Sequence, residues 1–287
     1  MQIIDYLTIN SKLYENQFDH DKKFSFLSNQ ILNNIQLVIN KKIHRIVEIE
    51  FYLYYKEHLD EFAHQDEDQG KIGNWYFHRQ HGKNYKGGSF KGLDITFGVS
   101  GNEKCFGGIL IRSIKMENDV IIEGPCKIVD YILKCNSCKS ISEFVEIELK
   151  NNNQNIGPLP VLKTNKESKL YCQFGQFNKE IIYNCPRVGL TLKNYSKIKE
   201  KFLMKNYRFL IFPNLIKKYS NLIALNLYNI NKSILETSRL LNTNKINVEK
   251  YIELKKIGES KNLNDFINLK NYSSKDLCEL YGYLHKN

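Results

Sequence analysis

The sequence predicts an α/β (α+β) fold: a single compact domain over residues 1–218, with a central, curved, mostly antiparallel sheet flanked by helices, followed by an α-helical C-terminal extension over 219–287. Three observations carry this. The 287 residues are 42% hydrophobic and 25% charged, the composition of a globular chain with a sizeable core. Residues 43–55 concentrate β-branched, aliphatic and aromatic side chains in one strand-length run. Apolar residues recur at helical spacing in 24–35, in 126–135 and beyond residue 219.

In chain order, Phe24, Phe26, Leu27, Ile31, Leu32 and Ile35 mark an amphipathic helix, and Leu37, Val38 and Ile39 a short strand. In the strand over 43–55, Glu48 and Glu50 stand two apart, so both carboxylates point to one face. Residues 57–88 lose periodicity and read as a long irregular loop holding Trp75, Tyr76 and Phe77; loops of that length inside a domain are usually functional. Residues 90–99 and 107–114 read as neighbouring strands joined by a turn at Ser100-Gly101-Asn102. Gly124-Pro125 opens a helix over 126–135, because proline suits the first helical turn. The polar run 151–155 reads as an insertion. Strands follow at 171–177, 181–183, 187–192 and 208–212, and helices at 222–241 and 276–284.

Forty-two Lys and Arg against thirty-one Asp and Glu give a formal charge of +11, which suits polyanionic partners, although the Lys-Asn-Ile bias also fits AT-rich coding DNA. The N-terminus lacks the basic start, apolar run and cleavage site of a secretion signal, and no stretch of about eighteen apolar residues occurs. Seven scattered cysteines fit reduced thiols in a cytoplasmic or nuclear protein. Cys135 and Cys138, with Cys172 and Cys185, offer a zinc alternative, but a second CxxC is missing and isolated thiols are the commoner arrangement, so no metal is expected. P-loop and dinucleotide fingerprints are also missing.

A set of short motifs falls in a recognisable order: Ile46-Val47-Glu48-Ile49-Glu50-Phe51-Tyr52, Asp60 to His64, Phe97-Gly98, Leu110-Ile111-Arg112-Ser113, Gly124-Pro125 with Lys127, Pro186-Arg187-Val188-Gly189 and Tyr207-Arg208-Phe209. This series resembles the alkyladenine (3-methyladenine) DNA glycosylases across roughly residues 20–213. The resemblance implies base-excision DNA repair of alkylation damage. A monomeric enzyme without cofactor would flip a modified purine out of DNA, or alternatively RNA, and hydrolyse its N-glycosidic bond. Glu50 would be the general base for the attacking water, Arg112 would hold that water and the carboxylate, and the Val188 carbonyl would complete the water site. Tyr52 and His64 would sandwich the base, and Phe97, where the family commonly has a tyrosine, would wedge into the DNA.

The chain also departs from the family. Residues 73–79, with Trp75, replace an Arg-Asn-rich segment; Asp94 stands where a tyrosine often lies; and Asn102 is near the place of the purine-discriminating asparagine. These three are candidates for altered specificity. Read without the resemblance, Glu50 is a solvent-facing strand residue paired with a lysine, Tyr52 and Phe97 are core aromatics, and residues 193–205 are either a solvated helix face or a phosphate-tracking stripe. The rival function is a non-catalytic nucleic-acid or nucleotide-binding protein on the same fold.

Overall fold

The computed structural model describes Leu7 and residues 20–80, 84–98, 105–151, 159–267 and 269–286. The chain divides into two compact units, Met1–Ile182 and Tyr183–Asn287, so the residues expected as a helical extension share their unit with 183–218.

The first unit is built on a mixed α/β plan. Helix α1 (His20–Asn34) leads into β1 (Ile35–Ile39) and the long β2 (Lys42–Tyr55), joined by Asn40 and Lys41 in left-handed conformations with φ of 44° and 68°. Two successive positive φ values give the primed turn whose twist matches a hairpin. There follow β3 (His58–Leu59), β4 (Asn74–Phe77), the small hairpin β5 (Arg79–Gln80) and β6 (Asn84–Tyr85), β7 (Leu93–Thr96), β8 (Phe106–Met116) and β9 (Ile121–Glu123). Helices α2 (Pro125–Cys135) and α3 (Ile141–Asn151) precede β10 (Leu159–Pro160) and β11 (Leu170–Phe174). The main path across the sheet is β10-β4-β7-β8-β2-β1-β11, antiparallel throughout.

Alternation along β2 decides what each sheet face carries. Phe51, fully buried with Ile49 and Leu53, stacks on Phe24 of α1 at 4.5 Å, and Phe97 closes the cluster edge-on at 6.0–6.2 Å from both rings. Glu48, Glu50 and Tyr52 belong to the other face. Helix α2 starts at Gly124, whose φ of 116° favours glycine, with Pro125 in its first turn, and buries Ile128, Val129, Ile132 and Leu133.

Three expectations about local structure need correction. The region read as one irregular loop contains β4, whose Trp75, Tyr76 and Phe77 are all buried; short strands inside polar flanks escape periodicity. Residues 187–192 form no strand. The helix expected over 222–241 is two, α5 (Ser220–Asn229) and α6 (Ile234–Leu241), separated where Asn231 turns left-handed at φ 66°. The turn expected at Ser100-Gly101-Asn102 lies outside the described residues.

The second unit pairs β12 (Tyr183–Cys185) with β13 (Arg208–Leu210) and adds α4 (Lys197–Leu203), α5, α6, α7 (Lys245–Glu259) and α8 (Ser274–Leu284). Ser233 with Glu236 and Ser273 with Asp276 form capping boxes that satisfy the first backbone donors of α6 and α8. Helices α7 and α8 touch backbone to backbone: a Cβ on Gly258 would meet the Glu279 carbonyl oxygen at 1.8 Å, and one on Gly282 that of Lys255 at 1.9 Å. Among the described residues, no helix is long and apolar enough to cross a membrane.

If Phe97 is a core residue, Phe97→Ala is expected to lower unfolding free energy by about 3–5 kcal/mol in a denaturant titration. A change within about 0.5 kcal/mol would instead indicate a surface side chain.

Candidate functional site

Strands β2 and β8 carry an irregularity that assembles a buried charged cluster. Ile46 pairs with Ile114, Glu48 with Ser113 and Ile49 with Ile111, so β2 has an extra residue at Val47 and β8 one at Arg112. In a bulge two residues oppose one, and here Arg112 and Ser113 both face Glu48. Arg112 Nε donates to Glu48 Oε1 at 3.1 Å and Nη1 to Glu50 Oε2 at 3.2 Å; the Ser113 hydroxyl donates to Glu48 Oε2. The Tyr52 hydroxyl, two residues along the same face, donates to Glu50 Oε2 at 2.8 Å. Glu50 is 0% and Arg112 8% exposed. Burial works against the guanidinium's charge, but the carboxylates of Glu50 and Glu48 outweigh it and push the Arg112 pKa above its ordinary value.

The expected catalytic pair therefore converges, and Tyr52 joins it through its hydroxyl. Glu48 and Ser113 complete the cluster. The signal for Glu48 was its position two residues before Glu50, and for Ser113 its place beside Arg112.

A second polar cluster lies on the same sheet face. The register Glu50↔Leu110↔Asp94↔Tyr76 places Asp94 two strands from Glu50, about 10 Å at strand spacing. Asp94, 2% exposed, accepts from Gln69 Nε2 at 3.1 Å and pairs with His78 Nε2 at 2.8 Å. Gln69 Oε1 is buried without a hydrogen-bond partner. Glycines make the room: a Cβ on Gly108 would sit 2.5 Å from Asp94 Oδ2, and one on Gly92 2.4 Å from the His78 ring. The Tyr76 hydroxyl donates to Asp66, and Arg79 reaches Asp68 at 2.8 Å.

His64 sits at the outer edge of this cluster. Its ring meets His78 edge-on at 4.3 Å and Tyr76 at 5.9 Å, and Lys86 Nζ donates to its Nε2 at 2.8 Å. Although part of the residue stays in contact with solvent, desolvation of the ring, then the neighbouring His78 and Lys86, lower its pKa to about 3. The imidazole is neutral at physiological pH and uses one nitrogen as an acceptor.

Phe97 and Trp75 lie outside both clusters. Phe97 is 0% exposed in the α1 cluster, so the wedge assignment is withdrawn: an inserting side chain must reach solvent. Trp75 is also buried and donates from Nε1 to the Leu170 carbonyl at 3.2 Å, which makes it an anchor between segments rather than a specificity residue. Val188 is buried within the second unit. Asn102 lies outside the described residues. Cys105, Cys172, Cys185 and Cys278 are buried, and among the described residues no three His, Cys, Asp or Glu side chains gather as a metal would require. The sequence reading missed Gln69 and His78, for which Gly92 and Gly108 are the faint signals.

Over 212 residues the chain is 36% identical to the uncharacterized protein L759 of Acanthamoeba polyphaga mimivirus, a match that covers 68% of this chain and 88% of the relative. The chain belongs to that protein's family. No protein-family model matches the sequence. The name of this relative carries no activity.

Two measurements check the electrostatics. Arg112→Met leaves Glu48 and Glu50 buried without their cation and is expected to cost about 3–5 kcal/mol of stability, while adding Glu48→Gln and Glu50→Gln recovers most of it. A loss below about 1 kcal/mol would mean the cluster opens to water. In an NMR titration His64 should stay neutral to about pH 4, with a midpoint near 3. A His pKa lowered on folding means the unfolded chain binds more protons between about 3 and 6.5, so this residue's contribution to stability rises with pH across that window. A midpoint near 6.5 would show an uncrowded ring.

Proposed function

We propose that the chain is a monofunctional DNA N-glycosylase that hydrolyses the bond between a modified base and deoxyribose. The observation that carries this reading is Glu50: a fully buried carboxylate held on one oxygen by a guanidinium and a phenol, on the strand face where the resemblance puts the general base. Such fixed donors aim the carboxylate before substrate arrives, which is the arrangement that lowers reorganisation during reaction.

In the proposed step, Glu50 takes a proton from water as its oxygen bonds to the anomeric carbon and the carbon–nitrogen bond breaks, with the electron pair leaving on the base. A carboxylate held beside the reacting carbon favours the cation-like sugar of the transition state, as in other glycoside cleavages. Tyr52, half-buried and fixed by its hydroxyl, offers an aromatic surface against which a flipped base stacks, worth roughly 1–3 kcal/mol.

Asp94 with His78 and Gln69 supports a substrate different from the family's usual one. A carboxylate and amide set replaces an aromatic side chain, so the site selects hydrogen-bond donors on the base in place of a stacking face. The same network also favours the rival reading of a binding protein that keeps the fold.

Incubating the protein with alkylated, deaminated and untreated DNA and assaying free bases by mass spectrometry is expected to show release of one base class. Glu50→Gln should reduce it by at least about a hundredfold. Salt-sensitive binding without release from any DNA would favour the binding protein instead.

A further inference from the structure

The two units differ sharply in charge. The first, Met1–Ile182, holds twenty-three Lys and Arg and twenty-three Asp and Glu, and is neutral; the second, Tyr183–Asn287, holds nineteen and eight, and so carries the whole formal charge of +11. A coding bias toward lysine acts along the entire chain and does not by itself leave one unit balanced. The imbalance is therefore a property of the second unit.

Within that unit the charge lines a cavity. Lys197, Lys201 and Lys205 recur every four residues along α4 and the turn after it, and border a hollow of about 540 Å³ together with Met204, Leu284 and His285. One acidic residue, Glu200, shares the lining, and it accepts the Tyr195 hydroxyl at 2.8 Å. Lys197 and Lys201 are exposed and Lys205 is half-buried, and none of the three is in an ion pair. Nearby Lys199 behaves differently, spending its ammonium on the carbonyls of Lys193 and Asn194. His285 stacks on Tyr281 at 4.1 Å, and burial lowers its pKa, so the far wall is a flat, uncharged ring.

The geometry points to a binding surface for the phosphodiester backbone of duplex DNA along α4 and the C-terminal end of α8. From Lys197 to Lys205 there are eight residue steps along α4 and the turn after it, about 12 Å at helical rise, a length over which one DNA strand presents three to four phosphates. A small anion would need a closed ring of donors; a stripe of lysines outside ion pairs, within a unit of net charge +11, suits a polymer. This inference rests on the glycosylase reading for its choice of DNA, and it names a surface that the resemblance does not supply.

The test uses the full chain, a fluorescent 20-base-pair duplex and anisotropy between 50 and 200 mM salt. Replacing Lys197, Lys201 and Lys205 together by Gln is expected to flatten the slope of log K against log salt by about 2.7, at about 0.9 per lost phosphate contact. Replacing the exposed Lys139, Lys163 and Lys166 of the neutral unit by Gln removes the same charge and should leave the slope as it was. Equal flattening by both triples, or capture by phosphatidylserine vesicles without duplex binding, would overturn the surface. Binding with the predicted slope change but no base release would keep the surface and overturn the glycosylase reading. Base release with a slope indifferent to the α4 triple would do the reverse.

Discussion

The fork of Arg112 between Glu48 and Glu50 is the constraint on which the first unit's sheet depends. Three ionisable groups removed from water are tolerable only when their hydrogen bonds are met with good geometry, and breaking one partner leaves the others exposed to a large desolvation cost. Here Ser113 and Tyr52 supply further donors, one to each carboxylate. Every member comes from the central pair of strands, so the cluster and the ladder between β2 and β8 stand or fall together. A buried salt bridge of this kind is weak evidence for stability and better evidence for a site whose electrostatics are being held in place.

Much of this was readable in the residues. The alternation of Glu48, Glu50 and Tyr52 with Ile49, Phe51 and Leu53 assigned both faces of β2, because a half-polar strand of that length has one consistent solution. Helices α1 and α2 were equally legible from their apolar spacing. What escaped had physical causes. Strand β4 has four residues and buries both faces, so it shows no alternation. Helix α3 mixes charge into its buried side, with Glu148 among its buried residues. Residues 187–192 have strand-like composition but no strand, since composition does not supply a pairing partner. At the site, Arg112 and Glu50 were identified through the order of short motifs, while of the Asp94, His78 and Gln69 set only Asp94 was, because its members are far apart in sequence and meet only in the fold.

Charge divides the molecule differently from secondary structure. The neutral unit concentrates its acids and bases into specific pairs, from Arg79 with Asp68 to Arg112 with two glutamates. The basic unit leaves lysines along α4 unpaired and devotes its internal economy to helix caps and to the glycine-mediated contact of α7 with α8. Local pairing makes a precise interior; unneutralised charge makes a long-range field.

The irregularity between β2 and β8 has a consequence for how this sequence can change. The extra residue at Val47 shifts the two strands out of phase, and the extra residue at Arg112 shifts them back, so pairs on either side count in step: Ile46 with Ile114 before, Ile49 with Ile111 after. Deleting either residue alone would carry the slip to the end of the strand and turn one set of side chains over, sending Phe51 toward the charged cluster or Glu50 toward α1. Only a double event, one loss on each strand, would return to a register in step. The position of Arg112 is thereby guarded by counting as well as by chemistry, and a lineage could abandon the charge of this cluster by substitution far more readily than it could abandon the backbone that presents it.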